Sequence, residues 1–363
     1  CRFVYNLALE TKIRAYKEYG VSLSGYDLIY QLPELKKEEP WLKEVVNESL
    51  VNSITNMDNA FKRFFKGYSK YPNFKSKRES KQSFKITQDK NIKIKDGKFY
   101  GTHFQKKNAI KVKVDREHKG KIKSATISKT PTGKYFVSVL CDTGEYVPEK
   151  PEVKAETTLG VDLGIKDFAI TSDAEVVNNP KYYRKAESKL KYLQRKYSKY
   201  KGKRTRHKLA KQYEKVANKR KDFLHKESSK MVSENQTIAI EDLNVQGMMK
   251  NHKLAKSIGD AGWGMFTEML KYKCEWYGVN LLKIGRFEPS SKTCSNCGHM
   301  NKELQLKDRE WTCSNCNTLH DRDLNAAINI KNFAIENNMV SGMDTKKAKR
   351  TALVRGSEDL CNS

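Results

Sequence analysis

Cys294-Ser-Asn-Cys297, fifteen intervening residues, Cys313-Ser-Asn-Cys316, and then His320-Asp-Arg-Asp323-Leu-Asn-Ala-Ala-Ile-Asn-Ile330: this stretch decides the reading of the chain. Two Cys-x-x-Cys knuckles at such a separation have the ligand spacing of a zinc ribbon, because each short loop presents two thiolates and four complete a tetrahedron. A closed tetrahedron leaves no position for water or substrate, so Cys294, Cys297, Cys313 and Cys316 are expected to hold one structural zinc. Neither knuckle lies on an apolar run, which argues against four merely buried thiols. The second knuckle runs straight into an acidic, helix-forming stretch, so the ribbon is expected to be inserted just before an active-site helix.

Working outward, the 363 residues are enough for two or more domains, and the formal net charge of +28 calls for a polyanionic partner, most simply nucleic acid. No apolar run is long enough to span a bilayer and no signal peptide is visible. The other four cysteines, Cys1, Cys141, Cys274 and Cys361, are scattered, a reduced, cytosolic pattern rather than a disulfide framework. The chain starts at Cys1 and not Met, so further residues are expected upstream.

Residues 1–82 read as helical. Leu7, Leu9, Ile13 and Tyr16 recur at helical intervals, as do Leu50, Ile54, Met57, Phe61, Phe64 and Phe65 further on, with Pro33 and Pro40 between and Gly67 as a stop. The basic loop Tyr71-Pro-Asn-Phe74-Lys75-Ser-Lys77-Arg78 interleaves aromatics with charge, a mix suited to phosphate contacts and base stacking. From 83 to 155 the pattern changes to period two, with Asp96-Gly97 and Thr132-Gly133 as turns and lysine repeatedly outward. A small antiparallel barrel with a basic face is expected there.

The third region opens on Leu159-Gly-Val-Asp162-Leu-Gly164, an apolar strand carrying one acid, and a second such strand is Ile238-Ala-Ile-Glu241. Between them, residues 181–230 are helical and crowded with Lys and Arg, their only acids being Glu187, Glu214, Asp222 and Glu227; the patch Lys201-Gly-Lys203-Arg204-Thr-Arg206 should break the run into two helices. Such a helix lacks pairing anions, and a nucleic-acid backbone is the obvious counterion, with Arg195, Lys201, Lys203, Arg204, Arg206 and Arg220 as candidate contacts. Asp323 begins a helix with small, close-packing residues. Three carboxylates converging from two strands and a helix repel one another and need a cation; hard oxygen donors suit Mg²⁺, and two such ions serve phosphodiester cleavage. Acid-tipped strands interleaved with helices describe an RNase-H-like nuclease core.

At this point the chain resembles the TnpB (OrfB) proteins of insertion sequences, transposon-encoded relatives of type V CRISPR effectors. The resemblance runs from Cys1 to about Ile330. It rests on Cys1-Arg-Phe-Val-Tyr-Asn6, Tyr71-Pro-Asn-Phe-Lys75, Gly160-Val-Asp-Leu-Gly164, Arg220-Lys-Asp-Phe-Leu-His225, Ile240-Glu-Asp-Leu243, Pro289-Ser-Ser-Lys-Thr-Cys294 and Asp321-Arg-Asp-Leu-Asn-Ala326. It implies an α/β and α+β multidomain protein with a RuvC-type core. The parts would be a helical recognition lobe (1–82), an antiparallel β-barrel wedge domain (83–155) whose first strand lies upstream, RuvC-like motifs I and II with basic helices (156–292), the zinc ribbon (293–317), motif III (318–332) and a disordered tail (333–363). It further implies that Asp162, Glu241 and Asp323 are the catalytic, magnesium-binding acids, with Asp323 preferred over Asp321 as the acid nearest Asn-Ala. The implied activity is RNA-guided cleavage of double-stranded DNA, the guide being a transposon-end RNA and base pairing supplying sequence specificity. Two other classes share these features: a nuclease-dead, RNA-guided DNA-binding repressor, which would lose acids of the triad, and a conventional strand-transfer transposase.

Overall fold

The apolar periodicities become two separately packed units in the computed structural model, which describes residues 1–76, 82–87, 92–101, 108–305 and 307–339. One unit is Cys1–Glu145; the other begins at Tyr146.

In the first unit, α1 (Arg2–Tyr19) buries Val4, Tyr5, Ala8 and Leu9 along one stripe and ends at Gly20, whose φ of 67° suits glycine. Short helices α2 (Gly25–Tyr30), opened by a Ser24–Asp27 capping box, and α3 (Leu32–Glu38) bridge to α4 (Asn47–Phe65). That helix buries Leu50, Ile54, Met57 and Phe61, at the i, i+4, i+7, i+11 spacing of one helical face. Its end falls where expected, with Gly67 at a φ of 74°. Strands follow: β1 (Gln82–Thr87), β2 (Lys93–Lys95), β3 (Lys98–Tyr100), β4 (Ile110–Lys111), β5 (Lys121–Lys129) and β6 (Tyr135–Asp142). The barrel expectation needs correction. Among the described residues the strands form two three-stranded antiparallel sheets, β1-β5-β6 and β2-β3-β4, over one shared core of Ile86, Ile92, Phe99, Ala125 and Ile127. Strands of two or three residues, as β2 to β4 are, are too short to carry a ladder around a closed cylinder. Asp96 and Gly97, both at positive φ, do form the hairpin turn between β2 and β3.

The second unit is built on a five-stranded sheet. Its strands are β7 (Thr158–Leu163), β8 (Asp167–Thr171), β9 (Val176–Asn178), β10 (Thr237–Glu241) and β11 (Asn280–Ile284), in the order β11-β10-β7-β8-β9. Strands β7 to β9 form an antiparallel meander, whereas β10 runs parallel to both β7 and β11. A helical hairpin, α5 (Tyr182–Tyr200) and α6 (Lys203–Glu234), leads from the meander to β10, and it breaks at Lys201-Gly202 as the sequence patch suggested. Then α7 (Val245–Met248), α8 (Ala255–Ala261) and α9 (Trp263–Tyr277) lead to β11. One sheet face buries Leu159, Val161, Ile238 and Ile240 against Leu224, Met231, Phe266 and Leu270 of α6 and α9.

The other face receives a helix over 322–339, α10, entered from a small hairpin of β12 (Glu310–Thr312) and β13 (Leu319–Asp321). This helix lies so close to β7 that a Cβ on Gly160 would stand 2.1 Å from the carbonyl oxygen of Ala327, so only glycine permits the approach. It also corrects the reading of a disordered stretch from 333: Phe333 and Ala334 pack with Ala239, Ile284 and Ile330, which keeps the chain helical through 339. Residues 340–363, Cys361 among them, lie outside the described residues.

Candidate active site and metal centre

Strand alternation places the acids. Side chains two apart on a strand share a face, so Asp162 lies on the face of Gly160, and Glu241 on that of Ala239, which is the α10 face. Val161 and Ile240 are register partners in the parallel pair, and the acids stand one residue beyond them on adjacent strands. The third acid, Asp323, opens α10. The carboxylates feel one another: burial first, then Glu241 and Asp323, push the Asp162 carboxyl up to about 7, with Arg322 offsetting part of the rise. Carboxylate oxygens are the donor type that a hard divalent cation takes.

Each acid is held by neighbours that differ. Ser290 Oγ donates to Glu241 Oε1 at 2.6 Å, whereas the adjacent Asp242 turns away to Arg286 Nη2 at 2.8 Å. Asp323 accepts from Arg309 Nη1 at 3.1 Å and from Arg322 Nε and Nη2 at 3.2 and 3.1 Å. Asp321 does another job. Its Oδ1 accepts the backbone N–H groups of Asp323 and Leu324 at 3.0 and 2.8 Å, which makes it the N-cap of α10. Its Oδ1 is therefore committed to the helix end, while Asp323 lies near enough to Asp162 to raise that carboxyl.

The four knuckle cysteines come together. Cys294, Cys297, Cys313 and Cys316 have all their sulfurs within 4.8 Å of one another, with Cys294–Cys316 and Cys297–Cys313 at 3.6 Å. A tetrahedron with metal–sulfur bonds of ~2.3 Å has edges of about 3.8 Å, so the set fits a four-thiolate ion. Burial pushes the Cys294 thiol up to about 12, while hydrogen bonds from the Thr318 hydroxyl and backbone hold Cys316 down to about 5. A thiol as buried as Cys294 needs a bound cation to stay ionised. His320 Nε2 lies 3.0 Å from Cys294 Sγ, packed beside Trp311, and so belongs to the surroundings of this centre.

Metal centre and acid cluster share a frame that sequence reasoning does not reach. Asn325 Nδ2 donates to the Thr293 carbonyl at 2.8 Å, and the Ser295 N–H donates back to Asn325 Oδ1 at 2.9 Å. One helical turn on, Asn329 Nδ2 donates to the carbonyls of Ser290 and Thr293 at 2.7 and 2.6 Å. Both asparagines and Ser290 are buried. In the sequence Asn325 reads as a small packing residue; it is instead a polar tether between α10 and the first knuckle. Pro289-Ser-Ser-Lys-Thr293 enters the sequence reading as part of a motif, with nothing in it to show which of its carbonyls α10 would claim. Arg309, with no motif around it, carries no signal.

The candidate nucleic-acid contacts separate into three kinds. Arg195, Lys201, Lys203, Arg204 and Arg206 lie around the tip of the α5–α6 hairpin, with Lys201, Lys203, Arg204 and Arg206 exposed there. Two acids of that hairpin pair away from the tip, Glu187 with Lys191 and Lys256 and Asp222 with Lys226. Arg220 does not belong with them: its Nη1 donates to the Gly259 carbonyl and its stem packs at Gly262, so it joins α6 to α8 inside the unit. In the first unit, Asn6 clamps Lys75 through its N–H (2.8 Å) and its carbonyl (2.9 Å), and Lys75 Nζ sits 3.9 Å from the Tyr5 ring centroid. Tyr71 packs edge-on against Phe61 and Phe64 while Phe74 stays exposed. Lys77 and Arg78 lie outside the described residues.

This geometry meets its relatives in sequence. A family model described as "Probable transposase" (OrfB, IS605 type) matches residues 136–252, and one described as "Cas12f1-like, TNB domain" matches 263–330. A Streptomyces pristinaespiralis protein named as an RNA-guided DNA endonuclease is 38% identical over 336 residues, 91% of this chain and 82% of its own length. The chain belongs to the TnpB (OrfB) family. InsQ of Escherichia coli K12, likewise named as an RNA-guided DNA endonuclease, is 27% identical over 91% of this chain and 85% of its own. Among solved structures, the Cas12f1 chain of a Cas12f1–sgRNA–target DNA complex superposes with a TM-score of 0.60 over 91% of this TnpB-family chain and 80% of its own, at 13% identity, a likeness of fold. Among the described residues no helix is long and apolar enough to cross a membrane.

Proposed function

We propose that this chain is an RNA-guided DNA endonuclease, with an RNase-H-like, RuvC-type core in its second unit. The observation that supports the reading is that Asp162 and Glu241 lie on adjacent parallel strands of a sheet ordered β11-β10-β7-β8-β9, on the face covered by α10, the helix that Asp323 opens. A meander followed by two parallel strands is the RNase-H arrangement, and the names of the relatives point to the same activity. Bound at these carboxylates, Mg²⁺ would supply Lewis-acid stabilisation of the scissile phosphate and an activated water, two ions being the expected number. The chain's own groups hold the carboxylates in place: Ser290 fixes Oε1 of Glu241 and leaves Oε2, while Arg309 and Arg322 orient Asp323 and offset part of the cluster's charge. The four-cysteine centre would hold zinc as a brace for α10, because all four tetrahedral positions are thiolates.

Guide and target would lie on the positive surface. In this reading the helices of the first unit act as a recognition lobe and its paired sheets as a wedge, while the α5–α6 tip contributes phosphate contacts. Among the described residues of the second unit, nothing resembles a helix array that reads a long DNA site unaided, which favours a sequence borrowed from RNA.

Protein purified without nuclease treatment should carry a discrete RNA that binds tightly and is released steeply by salt. Every phosphate-bound cation that is neutralised should lower the logarithmic salt slope by roughly 0.7–0.9. Neutralising Lys201, Lys203, Arg204 and Arg206 together should therefore flatten the slope by about 3. Random copurifying RNA would count against a guide, and an unchanged slope would make these four residues plain solvated surface.

A further inference from the structure

We infer that Phe287 is a stacking platform that seats a base of single-stranded DNA beside the acid cluster; this rests on the nuclease reading and deepens it. Single exposed apolar side chains are ordinary on protein surfaces, so exposure alone says little. Phe287, however, is 94% exposed at a fixed place. Strand β11 ends at Ile284, the register partner of Glu241, and Ser290 Oγ bonds that same Glu241. Residues 285–289 thus form a loop that leaves Glu241 and returns to it. Phe287 is its midpoint, three residues from Ile284, which bounds its backbone to within about 10 Å of Ile284 and, one strand spacing further, about 15 Å of the Glu241 position.

The loop is pinned on both sides of the ring. Arg286 donates to the Asp242 carbonyl and carboxylate at 3.1 and 2.8 Å. Glu288 Oε1 accepts from Asn337 Nδ2 at 3.3 Å, the Glu288 N–H donates to the Gly285 carbonyl at 3.2 Å, and the Ser290 N–H donates to the Glu288 carbonyl at 2.8 Å. An aromatic ring held in water by a fixed loop gains by covering its face, and a nucleobase is the flat apolar partner that accompanies a phosphate into a carboxylate–metal site. Single-stranded binding sites pair such rings with positive charge, and stacked bases are tolerated whatever their sequence. Lys283 and Arg286, 42% and 47% exposed beside the loop, supply the positive charge of that pair. The platform would set which phosphate reaches the acids without reading which base it stacks.

The test uses the RNA-bound protein and a guide-matched target whose unpaired strand carries 2-aminopurine at successive positions, in Ca²⁺ so that the strand stays uncut. Fluorescence should be quenched at one position near the cut; Phe287→Ala should abolish that quench and Phe287→Trp retain it. An abasic nucleotide at that position should weaken cleavage at limiting target about tenfold in the parent protein and leave Phe287→Ala unchanged. No quenching at any position, quenching indifferent to Phe287→Ala, or an equal abasic penalty in both proteins would overturn the inference. Guided cutting by the parent protein in Mg²⁺ reports separately on the nuclease reading: cutting without the quench removes the platform alone, and the quench without cutting removes the nuclease alone.

Discussion

Asp162→Ala protein, purified with its RNA, is expected to bind matched target as well as the parent and to cut it at least about a thousandfold more slowly, because a metal site that loses one of three carboxylates loses the charge that holds its cation. Glu241→Ala and Asp323→Ala should match it. Asp321→Ala should behave otherwise. That residue caps α10, so its loss removes two backbone hydrogen bonds at a cost of about 1 kcal/mol of helix stability, and cutting should fall only severalfold. The contrast between these two neighbouring acids is what a kinetic comparison should read. Full cutting by Asp162→Ala would remove the active-site assignment; a dead Asp321→Ala beside an active Asp323→Ala would reverse the choice within the motif.

Loss of the thiolate centre should be nearly as damaging, by another route. Structural zinc sites supply ~10–16 kcal/mol in small finger domains, more than the segment 294–321 can replace with its small cluster of Leu304 and Trp311. Purified under reducing conditions, the protein should hold one zinc per chain, and Cys313→Ser should lose it. The expected sequel is rapid hydrogen exchange over 294–321 and a fall in cutting of about a hundredfold or more, since Asn325 and Asn329 tether α10 to Thr293 beside the first knuckle. RNA binding should survive. A stoichiometry well below one zinc, or unimpaired cutting by a zinc-free Cys313→Ser protein, would contradict the brace.

Which parts of this are legible in the sequence follows from how far each signal reaches along the chain. Cys294 to Cys316 can be read because metal geometry imposes a local spacing. Asp162 and Glu241 can be read because an acid on an apolar strand stands out against its neighbours. Gly160 is visible only as part of a motif; its reason is the backbone of Ala327, far along the chain. Barrel closure cannot be judged from alternation, which marks strands and says nothing of how many residues each contributes, and β4 contributes two. Arg220 reads as surface beside its basic neighbours, although a carbonyl on α8 claims it. Ser290, Asn325 and Asn329 are polar residues whose partners lie 30 to 49 positions distant, a pairing that no window of sequence displays.

The most direct measurement is cleavage by the RNA-bound protein of one DNA in Mg²⁺, with a guide matched to that DNA and with a scrambled guide of equal length. The account predicts cuts at a defined position with the matched guide, none with the scrambled one, and none when RNA is removed. Equal cutting with both guides, or cutting without RNA, would contradict it and leave a nuclease that does not take its target from RNA.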